Sequence, residues 1–469
     1  MYDITSSRAE DFINAKEISD SLEYASLNKC NITLIEAILK KARTYGGLLH
    51  REALVLLDCE IPKYNQEIYN LAKEIKDFFY GNRIVMFAPL YLSNYCINGC
   101  VYCPYHRRNL HIRRKKLSQD EIREEVVALQ NIGHKRLAIE LGEHPIENPI
   151  EYVLESIKTI YNVKYKKGAI RRVNVNIAAT SVENYVRLKH AGIGTYILFQ
   201  ETYNKEAYEM LHPSGPKHNY SYHTEAIDRA MDGGIDDVGC GVLFGLNMYR
   251  YDFVGLLMHI EHLVATKGCG PHTVSVPRIR NADGICADSF SNAISDNIFE
   301  KIVAVLRIAV PYTGIIVSTR ESPESRKRVL KVGVSQLSGG SRTSVGGYVK
   351  EENTSSQFEV SDQRTLDQIV DWLIEMGYIP SFCTACYREG RTGDRFMSLI
   401  KSGMIKDNCH NNALLTLKEY LIDYASLLTK VHGEKLIEIE LEKISNVVIR
   451  QEVKRRLAKI ENGRRDFRF

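Results

Sequence analysis

The sequence predicts an α/β protein built on a complete, closed (β/α)8 barrel of the TIM type, with helical extensions at both ends. Three observations support this prediction. Eight strand-like segments occur between residues 83 and 340. Helical segments alternate with them with little interruption, which is typical of a parallel sheet. The span of the eight strand-helix units also matches a barrel of roughly 250 residues.

Each element follows from local patterns. Residues 1–80 are predicted to be helical, because apolar residues recur at helical spacing through EIYNLAKEIKDFF, and Thr33 to Glu36 matches a capping box. The period changes at Arg83, where RIVMFAPLYLS is the first predicted strand. A second capping box at Ser118 begins a helix that ends near Gly133. The other predicted strands are RLAIELG, RRVNVNIA, TYILFQET, DVGCGVLFG, HTVSVPRI, GIIVST and VSQLSGG.

The last part of the chain is predicted to form a separate unit. The stretch GGSRTSVGGYVKEENTSSQFEVSDQR is rich in Gly, Ser and Thr and is expected to be a long exposed connection. A helix, TLDQIVDWLIEMGY, and further charged helices follow it. The predicted organisation is a helical extension over residues 1–80, a barrel over 81–345 and a C-terminal helical domain over 346–469. An open doubly wound sheet is the alternative to the closed barrel.

Composition narrows the class of protein. The 469 residues carry a formal net charge of +4, and the pI of about 8.3 is too mild to indicate nucleic acid as a partner. The first residues lack the apolar core of a signal peptide, and no run of about 18 apolar residues occurs. We therefore expect a cytoplasmic protein without a membrane partner. Eleven cysteines, an odd number, argue against a disulfide framework.

Three cysteines, Cys96, Cys100 and Cys103, lie close together after the first predicted strand, in NYCINGCVYC. Functional groups of such barrels collect in the loops that follow the strands. A structural zinc site would need four protein ligands. Three thiolates in a CxxxCxxC pattern, with the aromatic Tyr102 before the last, instead suit a 4Fe-4S cluster whose fourth iron is left open for another ligand.

This motif resembles the signature of the radical S-adenosylmethionine enzymes, and the resemblance covers about residues 80–345. It implies that the open iron binds S-adenosylmethionine, which one electron then cleaves to methionine and a 5′-deoxyadenosyl radical. Leu141-Gly142-Glu143 is similar to the GGE segment that meets the methionyl amino group in this family, with Leu141 in place of the first glycine.

The same resemblance implies further cofactor contacts at the ends of two strands. Glu201, at the end of strand four, corresponds to a position that often binds the ribose. Gly241 and Gly245 fall where strand five passes the adenine, and glycine permits a close approach of the backbone there.

A second group of three cysteines, Cys383, Cys386 and Cys409, lies in the C-terminal unit. A zinc site with His410 as the fourth ligand is one interpretation, since Cys3His sites are common. A CxxC…C arrangement after a radical S-adenosylmethionine barrel also resembles the tyrosine lyases of FeFe-hydrogenase maturation, the HydG family. This resemblance covers nearly the whole chain.

The resemblance to HydG implies a reaction and its partners. The substrate is L-tyrosine, whose amino group loses a hydrogen atom before the Cα–Cβ bond breaks to give p-cresol and dehydroglycine. Dehydroglycine then yields carbon monoxide and cyanide at a second, C-terminal 4Fe-4S cluster that carries an additional labile iron. The implied partners are a ferredoxin- or flavodoxin-type electron donor and other hydrogenase maturation proteins. The basic run HRRNLHIRRKK, residues 106–116, is either a docking patch for an acidic donor or a solvated face.

Several other residues are candidates for this chemistry. Arg320, at the end of strand seven, is expected to face the barrel mouth, where arginine can hold an amino-acid carboxylate with two hydrogen bonds. Arg278 and Arg280, at the end of strand six, are further candidates for this role. The family resemblance implies that His272, in GPHT, is a ligand of the labile iron.

The order of the elements suggests how the two cysteine groups are arranged. The C-terminal segment begins after the barrel has closed, so its cysteines can reach the opposite mouth. We therefore expect a channel through the barrel, along which a reactive fragment passes without meeting bulk water.

Two other functions remain open. One is a related radical lyase, such as a 2-iminoacetate synthase or a tryptophan lyase, that forms no carbon monoxide or cyanide and whose C-terminal cysteines hold zinc. The other is a cluster carrier or electron-transfer protein without catalytic activity. An electron carrier has no need of an open iron or of an eight-stranded barrel, which argues against the second.

Overall fold

A computed structural model of the chain describes residues 1–350, 355–401 and 404–469. The N-terminal extension is helical, as predicted. Its helices are Ala9–Phe12, Ala15–Asn28, Ile32–Ala42, His50–Asp58 and Pro62–Tyr80. The capping box predicted at Thr33 is wrong, because Asn31 caps this helix and its side chain accepts a hydrogen bond from the backbone N–H of Leu34. Asparagine is as good an N-cap residue as threonine, and here it comes first in the chain.

The central element is a closed barrel of eight parallel strands, which confirms the predicted fold class. Each strand pairs with its neighbour in chain order, and the eighth pairs with the first, with Gln336 opposite Val85. This closure excludes the open doubly wound sheet. The strands are β1 (Arg83–Ser93), β2 (Arg136–Leu141), β3 (Arg172–Asn176), β4 (Tyr196–Glu201), β5 (Val238–Val242), β6 (Thr273–Ser275), β7 (Gly314–Val317) and β8 (Gln336–Ser338).

Helices connect the strands and return the chain to the start of the next one. The capping box at Ser118 is confirmed, because Ser118 and Glu121 each accept a hydrogen bond from the other's backbone N–H. Because the eight strands are parallel, the loops that follow them all lie at one end of the barrel, which is called the upper end below. The helices are Gln119–Asn131, Ile150–Asn162, Val182–His190, Lys205–Leu211, Tyr220–Thr224, Ala226–Asp232, Tyr249–Lys267, Asp296–Ala309 and Pro323–Val332.

The C-terminal segment adds a ninth strand, β9 (Ile379–Ser381), which pairs in parallel with the first residues of β1. Since β1 begins at the lower end of the barrel, β9 brings the residues that follow it to this lower end. The helices of the segment are Leu366–Glu375, Ala385–Arg388, Gly393–Lys401, Met404–Asp423, Leu427–Glu442 and Val447–Glu461. Across the described parts of the chain, every helix is too short or too polar to cross a membrane.

The segment between β8 and the helix Leu366–Glu375 is not the exposed connection that its composition predicted. Part of it, residues 351–354, lies outside the described residues. In the remainder, Val345, Phe358 and Asp362 are buried. Asp362 forms an ion pair with the buried Arg326. Contacts of this kind hold the segment against the barrel, so its small residues reflect close packing and not exposure.

The interior of the barrel is only partly filled. Barrels of this type usually carry large branched side chains at their inward-facing positions. Here Ala138, Ser275 and Ser338 are among the inward-facing residues, and they line a cavity of about 240 Å³ that extends from the upper loops into the barrel. Small side chains at these positions leave the space that a packed barrel would fill.

Candidate functional site

The first group of cysteines lies at the upper end of the barrel, in the loop after β1, as predicted. Cys96, Cys100 and Cys103 all line the cavity. Although burial raises the pKa of the Cys96 thiol overall, the backbone groups of Asn98 and Glu143 lie close to Cys96 and act to lower it. Cys96 and Cys103 both act on the thiol of Cys100, so the three cysteines lie near one another at the edge of the cavity.

The cysteine loop is anchored on both sides. The hydroxyl of Tyr102, between Cys100 and Cys103 in the chain, lies 2.7 Å from Nε2 of the buried His212. Farther along, the guanidinium of Arg114 donates hydrogen bonds to the backbone carbonyls of Asn94, Tyr105, His106 and Asn109. These contacts fix the loop without using the thiols, which leaves all three cysteines available as ligands.

The environment of the thiols fits a 4Fe-4S cluster. Burial raises the pKa of all three thiols, and that of Cys103 reaches about 12. Thiols of this kind stay protonated at neutral pH unless a metal takes the place of the proton. Along the described lining of the cavity, Cys96, Cys100 and Cys103 have no fourth cysteine beside them. The donor set thus matches a cluster with one open iron.

Gly142 and Glu143, predicted to bind S-adenosylmethionine, lie next to the cysteine loop and line the cavity. A Cβ atom on Gly142 would lie 2.4 Å from the carbonyl oxygen of Tyr95 and 2.8 Å from Cβ of Cys96, so only glycine allows this approach. The carboxylate of Glu143 accepts a hydrogen bond of 2.6 Å from Asn98 in the cysteine loop. The two loops are thus held together, and the contact with S-adenosylmethionine remains a prediction.

Glu201, the predicted ribose ligand, also lines the cavity. Its backbone has a φ of +69°, a conformation that is uncommon for non-glycine residues. Its carboxylate forms an ion pair of 2.8 Å with Lys217. Burial disfavours the charge of Lys217, but Glu201, Cys100 and Cys103 together outweigh this effect and raise the pKa of Lys217. Lys217 therefore stays charged beside the cysteines.

Gly241 and Gly245 do not belong to the described lining of the cavity. A Cβ atom on Gly241 would lie 2.5 Å from the ring of Phe199, which does line the cavity. Gly245 has a φ of +109°, which a turn requires and glycine adopts without strain. Both glycines thus have a structural role here, and their predicted approach to the adenine remains untested.

The three candidate arginines differ in their surroundings. Arg320 lines the cavity, and its guanidinium lies 3.7 Å from the ring centre of Phe358. Arg278 does not line the cavity, and it pairs with Glu321 and, at 2.7 Å, with Asp296. Arg280 lines the cavity but pairs with Glu321 at 2.6 Å. Of the three, Arg320 has no carboxylate partner within the described residues, which makes it the best placed to bind an anion.

The second group of cysteines lies at the lower end of the barrel, as expected. Cys383 and Cys386 directly follow β9, and the buried Cys409 lies on the helix Met404–Asp423. The thiols of Cys386 and Cys409 act on each other, which lowers the pKa of Cys409 and raises that of Cys386. The fold thus brings together cysteines that are far apart in the sequence.

Three arginines surround this second group, and the sequence analysis missed them. Arg83, Arg136 and Arg172 are the first residues of β1, β2 and β3. The charges of Arg83 and Arg136 act on the thiol of Cys383, and Arg136 donates a hydrogen bond of 2.9 Å to its carbonyl oxygen. Among the described atoms, Nε of Arg83 and of Arg136 has no hydrogen-bond partner. An arginine at the start of three successive predicted strands was the available signal.

His272 lies at the same lower end, immediately before β6. Its ring centre is 5.9 Å from that of Tyr387, in the segment that carries Cys383 and Cys386. Burial lowers the pKa of His272, which keeps its imidazole neutral and able to bind a metal. In contrast, His410 contacts Glu440 at 3.7 Å. This contact gives no support to a zinc site with His410 as the fourth ligand.

The cavity extends from the upper cysteines to the middle of the barrel. Its described lining includes Ala138 and Ser338 but none of Cys383, Cys386 and Cys409. The expected channel to the lower end therefore remains a prediction beyond the depth of this cavity.

Comparison with known proteins agrees with this architecture. Residues 90–256 match the family model of the Radical SAM superfamily, and residues 275–379 match the model of the Biotin and Thiamin Synthesis associated domain. A 2-iminoacetate synthase of Salmonella typhimurium is 28% identical over 345 residues, which cover 73% of this chain and 89% of that protein.

Two solved structures cover almost the whole chain. One, described as the crystal structure of HydG, a maturase of the FeFe-hydrogenase, is 54% identical, with a TM-score of 0.95 over 98% of this chain and 100% of that chain. The FeFe-hydrogenase maturase HydG from Carboxydothermus hydrogenoformans is 38% identical, with a TM-score of 0.83 over 96% and 99% of the two chains. The chain therefore belongs to the HydG family of radical S-adenosylmethionine enzymes, which act in FeFe-hydrogenase maturation.

Proposed function

We propose that this protein is a carbon–carbon lyase that cleaves the Cα–Cβ bond of L-tyrosine to p-cresol and dehydroglycine. It then forms carbon monoxide and cyanide from dehydroglycine at a second cluster, for assembly of the FeFe-hydrogenase active site. The observation that carries the proposal is the presence of two three-cysteine sites at opposite ends of a partly hollow barrel.

The upper site contains the groups that tyrosine cleavage requires. Cys96, Cys100 and Cys103 would hold the 4Fe-4S cluster, and Glu143 lies beside them to meet S-adenosylmethionine. When bound, the 4Fe-4S cluster and S-adenosylmethionine together would supply a 5′-deoxyadenosyl radical that removes a hydrogen atom from the substrate. Arg320 holds the substrate carboxylate with its planar fork. The surrounding side chains, including Phe199, exclude water from the reacting atoms.

The lower site provides a setting for the second reaction. Cys383, Cys386 and Cys409 would hold the second 4Fe-4S cluster, whose negative charge Arg83 and Arg136 offset. His272 would bind an additional, labile iron, which leaves with carbon monoxide and cyanide as cargo for the other maturation proteins. A neutral imidazole is a suitable ligand for iron.

The basic run 106–116 is the surface at which an acidic ferredoxin- or flavodoxin-type donor would deliver electrons. It directly follows Cys103, so a protein bound there is close to the upper cluster. Arg107, Arg108 and Leu110 are exposed, with 88% of Leu110 accessible. Basic side chains around an exposed apolar residue form a suitable surface for an acidic partner.

The test is to replace Cys383, Cys386 and Cys409 together with alanine and to measure p-cresol and carbon monoxide in the same anaerobic reactions. We expect p-cresol to persist and carbon monoxide to be largely lost, because bond cleavage belongs to the upper site alone. Carbon monoxide at the normal ratio to p-cresol would show that it does not form at the lower site.

The similarity to a 2-iminoacetate synthase favours a second candidate, a radical lyase of this or the tryptophan lyase type that forms no carbon monoxide or cyanide. Iron analysis separates the two. The principal proposal requires two clusters and well above four irons per chain, whereas the alternative requires one cluster, with zinc at the lower site.

A further inference from the structure

Some of the charged groups that line the cavity are held in ion pairs. Lys217 pairs with Glu201 at 2.8 Å, and Arg280 pairs with Glu321 at 2.6 Å. Three of the charged groups in the described lining have no such ion pair, and one of them, Glu143, is already hydrogen-bonded to Asn98 in the cysteine loop. Arg320 has no carboxylate partner and Glu140 has no lysine or arginine partner among the described residues. A free cation and a free carboxyl group in one cavity match the two charges of an amino acid.

Glu140 is fixed in its position by the barrel. It is the second-last residue of β2, and its side chain faces the cavity. Its carboxyl group accepts a hydrogen bond of 2.7 Å from the amide of Asn176 at the end of β3. The titratable and charged groups that act on it from the neighbouring elements are Tyr91, Tyr105 and Arg320. None of these forms a hydrogen bond to Glu140 within the described residues, so one face of the carboxyl group is open to a ligand.

We propose that Glu140 is a catalytic base that binds the amino group of the amino-acid substrate and removes one proton from its ammonium form. This inference rests on the proposed function, in which Arg320 holds the carboxylate of the same substrate. The two side chains together then orient the α-carbon and present its nitrogen to the upper cysteine site.

The chemistry of hydrogen-atom abstraction explains why a base is needed. A free amino acid carries an ammonium group at neutral pH, and its nitrogen has no lone pair to stabilise a radical. Transfer of one proton breaks an N–H bond, forms an O–H bond on the Glu140 carboxylate and leaves the electron pair on nitrogen. The resulting neutral amine can then lose a hydrogen atom to the radical. No oxidant or reductant takes part in the proton transfer.

The environment of Glu140 suits this role. Burial raises the pKa of its carboxyl group to about 8, although the hydrogen bond from Asn176 and the charge of Arg320 act in the opposite direction. A base works best when its pKa lies near the working pH. In the empty cavity the group is mainly protonated at pH 7, because the pH is below this pKa. When a zwitterionic amino acid binds at pH 7, the carboxyl group therefore first loses its own proton to the solvent and then takes one from the ammonium group, so that binding releases one proton in all.

The test is calorimetric titration of L-tyrosine into anaerobically reconstituted protein with S-adenosylmethionine and without reductant. The titration is carried out at pH 7 in buffers of different ionisation enthalpy, which counts the protons released. For the wild type we expect nearly one proton per tyrosine, and none for Glu140→Gln. Turnover of Glu140→Gln should fall about 100-fold or more, the usual effect of losing a general base.

Two controls isolate the effect. The ligand 3-(4-hydroxyphenyl)propanoate lacks the amino group and should bind without proton release to either protein. Glu359→Gln removes an exposed carboxyl group outside the cavity and should release the same proton as the wild type. Retained binding of S-adenosylmethionine by Glu140→Gln would show that this variant is folded.

The outcomes distinguish this inference from the proposed function. If Glu140→Gln binds tyrosine with the same proton release as the wild type, Glu140 is not the base, and tyrosine can still be the substrate. If Glu140→Gln keeps normal turnover, the inference is also wrong. If the wild type itself does not bind tyrosine, the proposed substrate is wrong, and the inference falls with it.

Discussion

The upper cysteine site comes from one short loop, whereas the lower one combines a strand end, a helix farther along the chain and the first residues of three barrel strands. Near the upper thiols, Lys217 is already paired with Glu201, and the charge of Arg320 also acts on Cys103. The lower thiols have arginines that keep unpaired nitrogen atoms. The comparison shows that the upper site can bind its cluster with local residues alone, while the lower site depends on the closed barrel for its positive charge.

The largest expected effect concerns the upper loop. Replacement of Cys96, Cys100 or Cys103 with alanine should abolish cleavage of S-adenosylmethionine, because no cluster with a single open iron can form. The measurement is the yield of 5′-deoxyadenosine under reducing, anaerobic conditions. Cys286→Ala is a matched control, since Cys286 is exposed and lies outside both sites. A normal yield from any one of the three variants would refute the assignment.

Substrate anchoring should give the next largest effect at the upper end. Arg320→Lys should weaken tyrosine binding about 10- to 100-fold, since lysine lacks the planar fork and a hydrogen bond to a charged group is lost. Binding of S-adenosylmethionine should change little. Arg328→Lys, at an ion pair with Glu300 outside the cavity, serves as the control. If tyrosine affinity is unchanged in Arg320→Lys, Arg280 becomes the better candidate, because Arg278 does not line the cavity.

The positive charge at the lower end should matter for the second reaction alone. We expect Arg83→Gln to reduce the ratio of carbon monoxide to p-cresol about tenfold, because residues that support metal ligands typically contribute this much. The formation of p-cresol should stay near normal. Iron content and both products are measured on the same preparation. An equal loss of both products would mean that the two ends do not act separately.

The smallest expected effect concerns electron delivery to the upper end. The double change Arg107→Gln and Arg108→Gln should slow reduction by an acidic flavodoxin a few-fold at low salt, as is usual for exposed charges at the rim of an interface. The difference from the wild type should shrink as salt screens the charges. Stopped-flow reduction at several salt concentrations measures both effects. Equal rates at low salt would show that these arginines belong to a solvated face.

Much of the fold could be predicted because the barrel repeats one local pattern. All eight strands, including β1 and β2, lie where alternating strand-like and helical segments placed them. The end of the barrel pattern was harder to interpret. Glycine and serine in the segment after β8 suggested exposure, but Phe358 and Asp362 within it are buried. Composition does not distinguish a flexible connection from one whose small residues allow close packing.

In the candidate site, too, local sequence patterns could be interpreted, whereas contacts between distant residues could not. Cys96, Cys100 and Cys103 could be found because their spacing is local and chemically specific. Glu140 and Arg83 could not, since each acquires its meaning from residues on other strands or on the C-terminal segment. The ion pair of Arg278 with Glu321 was likewise invisible in the sequence, because it joins residues in the loops after β6 and β7.

The small side chains inside the barrel also affect thermal stability. A larger apolar side chain in place of Ala138 would fill empty space, and each buried methylene would add about 0.8 kcal/mol to the free energy of unfolding. The same change would obstruct the space that the substrate and its fragments occupy. Activity therefore keeps this protein below the stability that its fold could reach. Relatives that work at high temperature would have to gain stability in the outer helices, because the interior has to stay open.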